Sequence, residues 1–282
     1  MRTLIFGANG QLGRDLMTAY KSAGEVYGYD LPDVDIANED QVYAIAKTVA
    51  PELIINAAAW TDVDGAEDDL AGAFRVNESG ARNVADVAQR YNIPVVYIST
   101  DYVFDGTSET PYLPEDPVSP AGVYARSKSA GETATRKANP LHFIVRTAWL
   151  YGPHGNNFPE KILRLAQSND TLKVVEDEVG SPTHTLDLAE ACFYLSRTKH
   201  FGTYHCVNSG QCSRFEFAKS ILQCAEMNTR VEPCPGADYP GKAPRPAYSV
   251  LDSTSLETAT GHTMRPWKEA LMEYMQRREQ PV

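Results

Sequence analysis

Tyr124 and Lys128 stand four apart in VYARSKSAGE and form a pair that can move a proton. On a helix, such positions lie one above the other, with Cβ atoms about 5–6 Å apart. A free phenol titrates near ~10, and a neighbouring ammonium favours its phenolate and lowers that value. The run VVYIST ahead of the pair ends in Ser99-Thr100, and either hydroxyl can bind the same oxygen. Together these groups suit protonation or deprotonation of a carbonyl or alcohol oxygen. The same spacing recurs at Tyr43 and Lys47, ahead of LIINAAA, with no hydroxyl partner. That pair reads as a helix on a face of the sheet, with Tyr43 packed and Lys47 solvated. Tyr-x-x-x-Lys is therefore informative only through its surroundings.

Those surroundings begin with RTLIFGANGQLGRDLMTAYKSAG, a strand, a glycine-rich turn and a helix. Gly7 allows a tight exit from the strand, and Gly10 lets a pyrophosphate approach the helix N-terminus, where free N–H groups favour an anion. Gly13 permits close packing of helix on strand. With Asn9, Gln11 and Leu12 between them, these residues are the expected dinucleotide-phosphate contacts. EVYGYD is a second strand ending in Asp30, roughly 20 residues on, where an acid can bind ribose hydroxyls. Asp35 and Ile36 can flank adenine, although each acid can equally be an ordinary loop carboxylate. No arginine stands in LPDVDIAN to receive a 2′-phosphate, so these residues lean towards NAD(H). Ala57, Ala58 and Ala59 close the next strand with side chains small enough for a dinucleotide to lie across them.

A helix is expected over about 69–91, with Asn77, Gly80 and Asn83 on one face for packing and backbone hydrogen bonding. IPVVYIST, LHFIVRTAWLYG and GTYHCVN supply further strands; the Pro- and Gly-rich run 231–248 reads as a loop. Alternation of strand and helix predicts an α/β fold, a doubly wound parallel sheet (Rossmann) with a smaller C-terminal lobe. The expected division is 1–148 for the dinucleotide half, with 180–206 returning to it. Residues 149–179 and 207–282 would form the substrate lobe.

Composition narrows the function. A net charge of −11 argues against a nucleic-acid surface. No apolar run approaches the ~18 residues of a membrane span, and MRTLIFGANG lacks a secretory leader's hydrophobic region. Five cysteines without CxxC spacing point to neither a disulfide framework nor a zinc site, so a reducing cytoplasm is expected.

GxxGxxG, the NAAA strand end, STDYVFDG, Tyr124-x-x-x-Lys128 and RTAWLYG…GNNF together resemble the extended short-chain dehydrogenase/reductases. Within them the chain is similar to the dTDP-4-dehydrorhamnose reductase family over essentially its whole length, down to SPT at 181–183 and RP-x-YS at 245–249. The resemblance implies reduction of a C4 ketone on dTDP-4-dehydro-6-deoxy-L-mannose with NADPH or NADH. It makes Tyr124 the proton donor, Lys128 its activator and ribose ligand, and Thr100, in preference to Ser99, the orienting hydroxyl. It places Asp101, Trp149, Asn156, Asn157, Phe158 and Arg245 against the nucleotide sugar; Lys161 and Arg164 are further cations of that lobe. Some relatives dimerise around magnesium through acidic residues. None is mapped here, so a homodimer and a magnesium ion stay open and no metal ligand is assigned. Two rivals also remain. A 4,6-dehydratase or epimerase is disfavoured because the dehydratases' Thr-Asp-Glu is Thr100-Asp101-Tyr102 here. A non-catalytic regulatory subunit, like the one that associates with methionine adenosyltransferase, is disfavoured by the intact catalytic set.

Overall fold

The computed structural model describes residues 1–239 and 241–278. Five strands, β1 (Arg2–Phe6), β2 (Glu25–Tyr29), β3 (Leu53–Asn56), β4 (Val95–Thr100) and β5 (His142–Thr147), join the strand Gly202–His205 in one sheet. Its order is Gly202–His205, β5, β4, β3, β1, β2, and every neighbouring pair is parallel. Side chains alternate across a strand, so β1 feeds two cores. Ile5 faces Leu12 and Leu16 of α1 (Gln11–Ala19) and Leu188 and Leu195 of the helix Thr185–Ser196. Leu4 and Phe6 face Val42 of α2 (Glu39–Val49) and Val84 and Val87 of the helix Ala81–Arg90. Burial on both faces explains why these strands read as unbroken apolar runs.

A second core lies beyond the sheet. Ile162, Leu163, Phe217, Ile221, Trp267 and Leu271 bring together the helices Phe158–Ala166, Arg214–Cys224 and Trp267–Arg278. Three features depart from expectation. The helix foreseen over 69–91 is not uniform: Asp69, accepting from Gly72 N at 2.8 Å, caps its start at Leu70–Phe74. A π-helical turn at Arg75–Gly80 then leads into Ala81–Arg90. Part of the foreseen loop 231–248 is strand: Arg230–Cys234 pairs in parallel with Thr171–Val175, and Pro233 is tolerated because this sheet has only two strands. Leu256 and Met264, placed by sequence in the smaller lobe, pack into the sheet-side core with Leu188.

Candidate active site

The chain reverses its direction of winding between β1 and β3, which are neighbours in the sheet. Ligands of open α/β sheets bind outside the strand ends at such a point. Gly7 leaves β1 at φ +79°, and a Cβ there would lie 2.5 Å from Ala58 N, so only glycine fits. A Cβ on Gly13 would meet Gly7 O at 2.0 Å, which fixes how closely α1 crosses β1. Gly10 caps α1 without a side-chain bond, leaving the first N–H groups of the helix for an anion. Asp30 follows β2 directly, and its carboxylate accepts from Asn9 N at 3.0 Å and Leu31 N at 2.8 Å. Asn83 Nδ2 donates to Ile36 O at 3.0 Å and so holds the loop that carries Asp35 and Ile36.

One cation reaches this end from a distance. Arg75 Nη1 pairs with Asp35 Oδ2 at 2.6 Å across 40 residues of sequence. Burial works to raise the Asp35 carboxyl, yet Arg75 holds it below the ordinary range. An arginine absent from LPDVDIAN itself thus reaches that loop from the π-helical turn.

At the reactive end, the helix Val123–Ala138 carries Tyr124 in its first turn and Lys128 one turn later. Asn77 pins that helix: its Nδ2 donates to Ser127 Oγ at 2.9 Å and its Oδ1 accepts from Trp60 N at 2.9 Å. The Lys128 ammonium corrects the sequence expectation. It donates to Ile98 O at 2.6 Å and lies 4.2 Å from the centre of the Tyr97 ring, turned towards β4 rather than the phenol. Tyr124 is accordingly not lowered. Burial raises it well above the usual phenol value, the Thr100 hydroxyl opposes this, and Asp101 and Tyr102 add to it. Burial also brings Lys128 down to about 7, against the pull of Glu132. Thr100 Oγ1 donates to Asp101 Oδ1 at 2.9 Å and accepts from Tyr102 N at 3.2 Å. Tyr102 packs edge-on against Tyr124, ring centres 5.6 Å apart.

A cavity of about 750 Å³ joins the two ends. Its wall includes Gly7, Gly10, Gln11, Leu12, Gly13, Asp30, Asp35, Ile36 and Ala57-Ala58-Ala59 at the first end, and Thr100, Asp101, Tyr124, Lys128, Trp149 and Asn156 at the second. Four expected residues stand outside that wall. Asn9 contributes its backbone N–H to Asp30. Asn157 caps the helix Phe158–Ala166, and its Nδ2 donates to Gln11 Oε1 and Gly152 O. Phe158 stacks on Phe217 at 5.5 Å. Arg245 donates to Asp64 Oδ2 at 2.8 Å and to Ala243 O. Lys161 and Arg164 are exposed on the outer face of their helix. At the decoy position Tyr43 is not packed away: it is 39% exposed, with the tilted Tyr91 ring 6.4 Å off and Arg90 over its face.

The cavity's arginine is one that the sequence reading passed over. Arg214, first residue of its helix, lines the wall, lies 3.5 Å over the Trp149 ring and reaches Glu178 Oε2 at 3.5 Å. A positive side chain at a helix N-terminus opposes the macrodipole. That misfit in SRFEF was the available signal. Among the described residues no group of three or more His, Cys, Asp or Glu is placed to hold a metal ion, and no helix is long and apolar enough to cross a membrane.

Comparison with known proteins identifies the family. A spore coat polysaccharide biosynthesis protein, SpsK, of Bacillus subtilis is 41% identical over 98% of each chain. A dTDP-4-dehydrorhamnose reductase of Aggregatibacter actinomycetemcomitans is 39% identical, covering 96% of this chain and 97% of its own. The crystal structure of dTDP-4-dehydrorhamnose reductase from Bacillus anthracis in complex with NADP superposes with a TM-score of 0.95 at 39% identity, covering 98% of this chain and 99% of that one. The model of the RmlD substrate binding domain matches residues 1–280, and the chain belongs to that family.

Proposed function

We propose that this protein reduces the C4 ketone of dTDP-4-dehydro-6-deoxy-L-mannose to give dTDP-L-rhamnose, in the cytoplasm, with either NADPH or NADH. The observation that carries the reading is that one cavity is lined by a glycine-rich helix N-terminus, Thr100, Tyr124, Lys128 and Arg214. The residues fit a dinucleotide: α1 has an uncapped N-terminus, and Gly7 has no room for a Cβ. Gly10, Gln11 and Leu12 would hold its diphosphate, Asp30 its adenosine ribose and Lys128 its nicotinamide ribose. When bound, the nicotinamide supplies the hydride. Tyr124, kept protonated by burial, donates its proton to the ketone oxygen as charge builds there. Thr100 turns its hydroxyl proton from Asp101 to the same oxygen, which a freely rotating hydroxyl can do. Donors placed in advance stabilise such an oxyanion by about 3–4 kcal/mol each. Trp149 and Arg214 then face the sugar nucleotide.

The deciding experiment is turnover of NADPH or NADH with the 4-keto deoxysugar nucleotide, followed at 340 nm and by identifying the product. Release of water from dTDP-glucose instead would favour the dehydratase reading, and absence of any turnover the regulatory one.

Cofactor choice gives a second measurement. Asp30 at the ribose disfavours a 2′-phosphate, while Arg75 beside Asp35 offsets it. The expected kcat/KM values for NADPH and NADH therefore differ by less than about tenfold, or 1.4 kcal/mol. Strict dependence on NADPH would contradict this balance, and Arg75→Ala would then show whether Arg75 is the phosphate's partner.

A further inference from the structure

We propose that Glu132 is a positioning residue for Lys128, its buried carboxylate keeping the lysine charged and docked on β4. The proposal rests on the reading of Lys128 given above. Tyr124, Lys128 and Glu132 repeat at four-residue intervals and form one stripe along the helix. That stripe is laid on β4: Tyr124 lies by Thr100, Lys128 Nζ donates to Ile98 O, and Ser99 Oγ donates to Glu132 Oε1 at 2.6 Å. Ser99 is paired with Arg146 in the β4–β5 register. Arg146 grips the carboxylate with both arms, Nε to Oε1 and Nη2 to Oε2, each at 2.8 Å. Arg136 Nη2 adds a fourth bond at 2.8 Å.

Glu132 and Arg146 are 1% and 2% exposed. Burying such a pair often stabilises a fold no better than apolar residues would, so its presence calls for another reason. The surroundings supply it. Lys128 has Tyr124 and Glu132 one turn to either side on its own helix and faces the Tyr97 ring of β4; Asp101, beyond the end of β4, faces Tyr124. Glu132 faces Arg136 on its helix, Ser99 of β4 and Arg146 of β5. Behind Arg146, His205 Nδ1 donates to Tyr112 O at 3.0 Å and its Nε2 accepts from Arg146. Burial, aided by Arg146, lowers His205 to about 3, so it is neutral near pH 7 and adds no charge. Burial would raise the Glu132 carboxyl, but Arg146, Ser99 and Arg136 hold it below the usual range. The carboxylate therefore stays ionised beside a lysine that burial is pulling towards neutrality. Arg146 also donates to Pro114 O at 3.1 Å, so the same pair anchors the long connection between Thr100 and Tyr124.

A lysine is charged below its pKa and neutral above it. Losing the Glu132 charge lowers that pKa, so activity that needs the ammonium should fail at a lower pH. In Glu132→Gln, the Lys128 side-chain resonance, assigned by its disappearance in Lys128→Met, should titrate about one unit or more below wild type. The alkaline limb of kcat/KM should move down with it, and the loss of rate should shrink as pH falls. Glu132→Gln combined with Arg146→Met removes both buried charges and guards against an unpaired arginine unfolding the chain. That double variant should shift the same way by less. An unchanged lysine titration in both variants, or a loss of rate equal at every pH, overturns the proposal. Full turnover by Lys128→Met would instead defeat the reading of the lysine itself.

Discussion

Tyr124→Phe is expected to lower kcat at least about 10²-fold, the usual contribution of a positioned proton donor. The ring and its edge-on contact with Tyr102 survive the change, so cofactor affinity should stay close to wild type. Only the donor is lost. Thr100 can still hydrogen-bond the ketone oxygen, which leaves a residual rate rather than none. The raised phenol value sets the direction: Tyr124 remains a proton donor throughout the neutral range, which suits reduction more than the reverse oxidation. Oxidation of the product should therefore gain with rising pH more than reduction does, until Lys128 loses its own proton. Tyr43→Phe is the matched control, since Tyr43 is exposed on α2 and is not part of the cavity wall; its rate should be near that of wild type. Retention of more than half the wild-type rate by Tyr124→Phe would end the assignment.

The legible part of this site was the part built from neighbours in sequence. Gly7, Gly10 and Gly13 belong to one turn, and the backbone there leaves room for nothing larger at Gly7 and Gly13. Thr100 and Tyr124 are joined by one loop, and apolar runs announced the strands that carry them. What stayed hidden depended on contacts between distant segments. Asp35 meets Arg75 through a π-helical turn 40 residues further along the chain, a contact that local sequence does not announce. Helical spacing placed Lys128 beneath Tyr124, but spacing carries no information about where a long side chain ends. The backbone carbonyl of Ile98 and the Tyr97 ring offered the ammonium a closer partner than the phenol. Arg245 looked free in a Pro-rich loop, yet Asp64, 181 residues earlier, already engages it.

That last exchange of partners alters which arginine should matter to the substrate. A sugar nucleotide brings two phosphate charges to a protein of net charge −11, so a local cation must offset the overall field. Arg214 meets the requirement: it lines the cavity, stacks on Trp149, and its ion pair among the described residues is a 3.5 Å contact to Glu178. Its planar fork can bind two phosphate oxygens at once while the Trp149 face fixes its plane. A hydrogen bond to a charged group is worth about 1.5–3 kcal/mol, so Arg214→Ala should raise KM for the sugar nucleotide roughly 10- to 100-fold. KM for NADPH should not move, because the first end of the cavity is untouched. Arg214→Lys should recover part of the charge effect and little of the geometry. Arg245→Ala should cost less, since the Asp64 carboxylate, held below its usual range by Ala243 N and by Arg245 itself, competes for that guanidinium. Losing Arg214 should also flatten the salt dependence of substrate binding, one screened charge contact having gone. A larger KM effect at Arg245 than at Arg214 would mean that the diphosphate displaces Asp64, and the clamp would then lie on the Pro-rich loop.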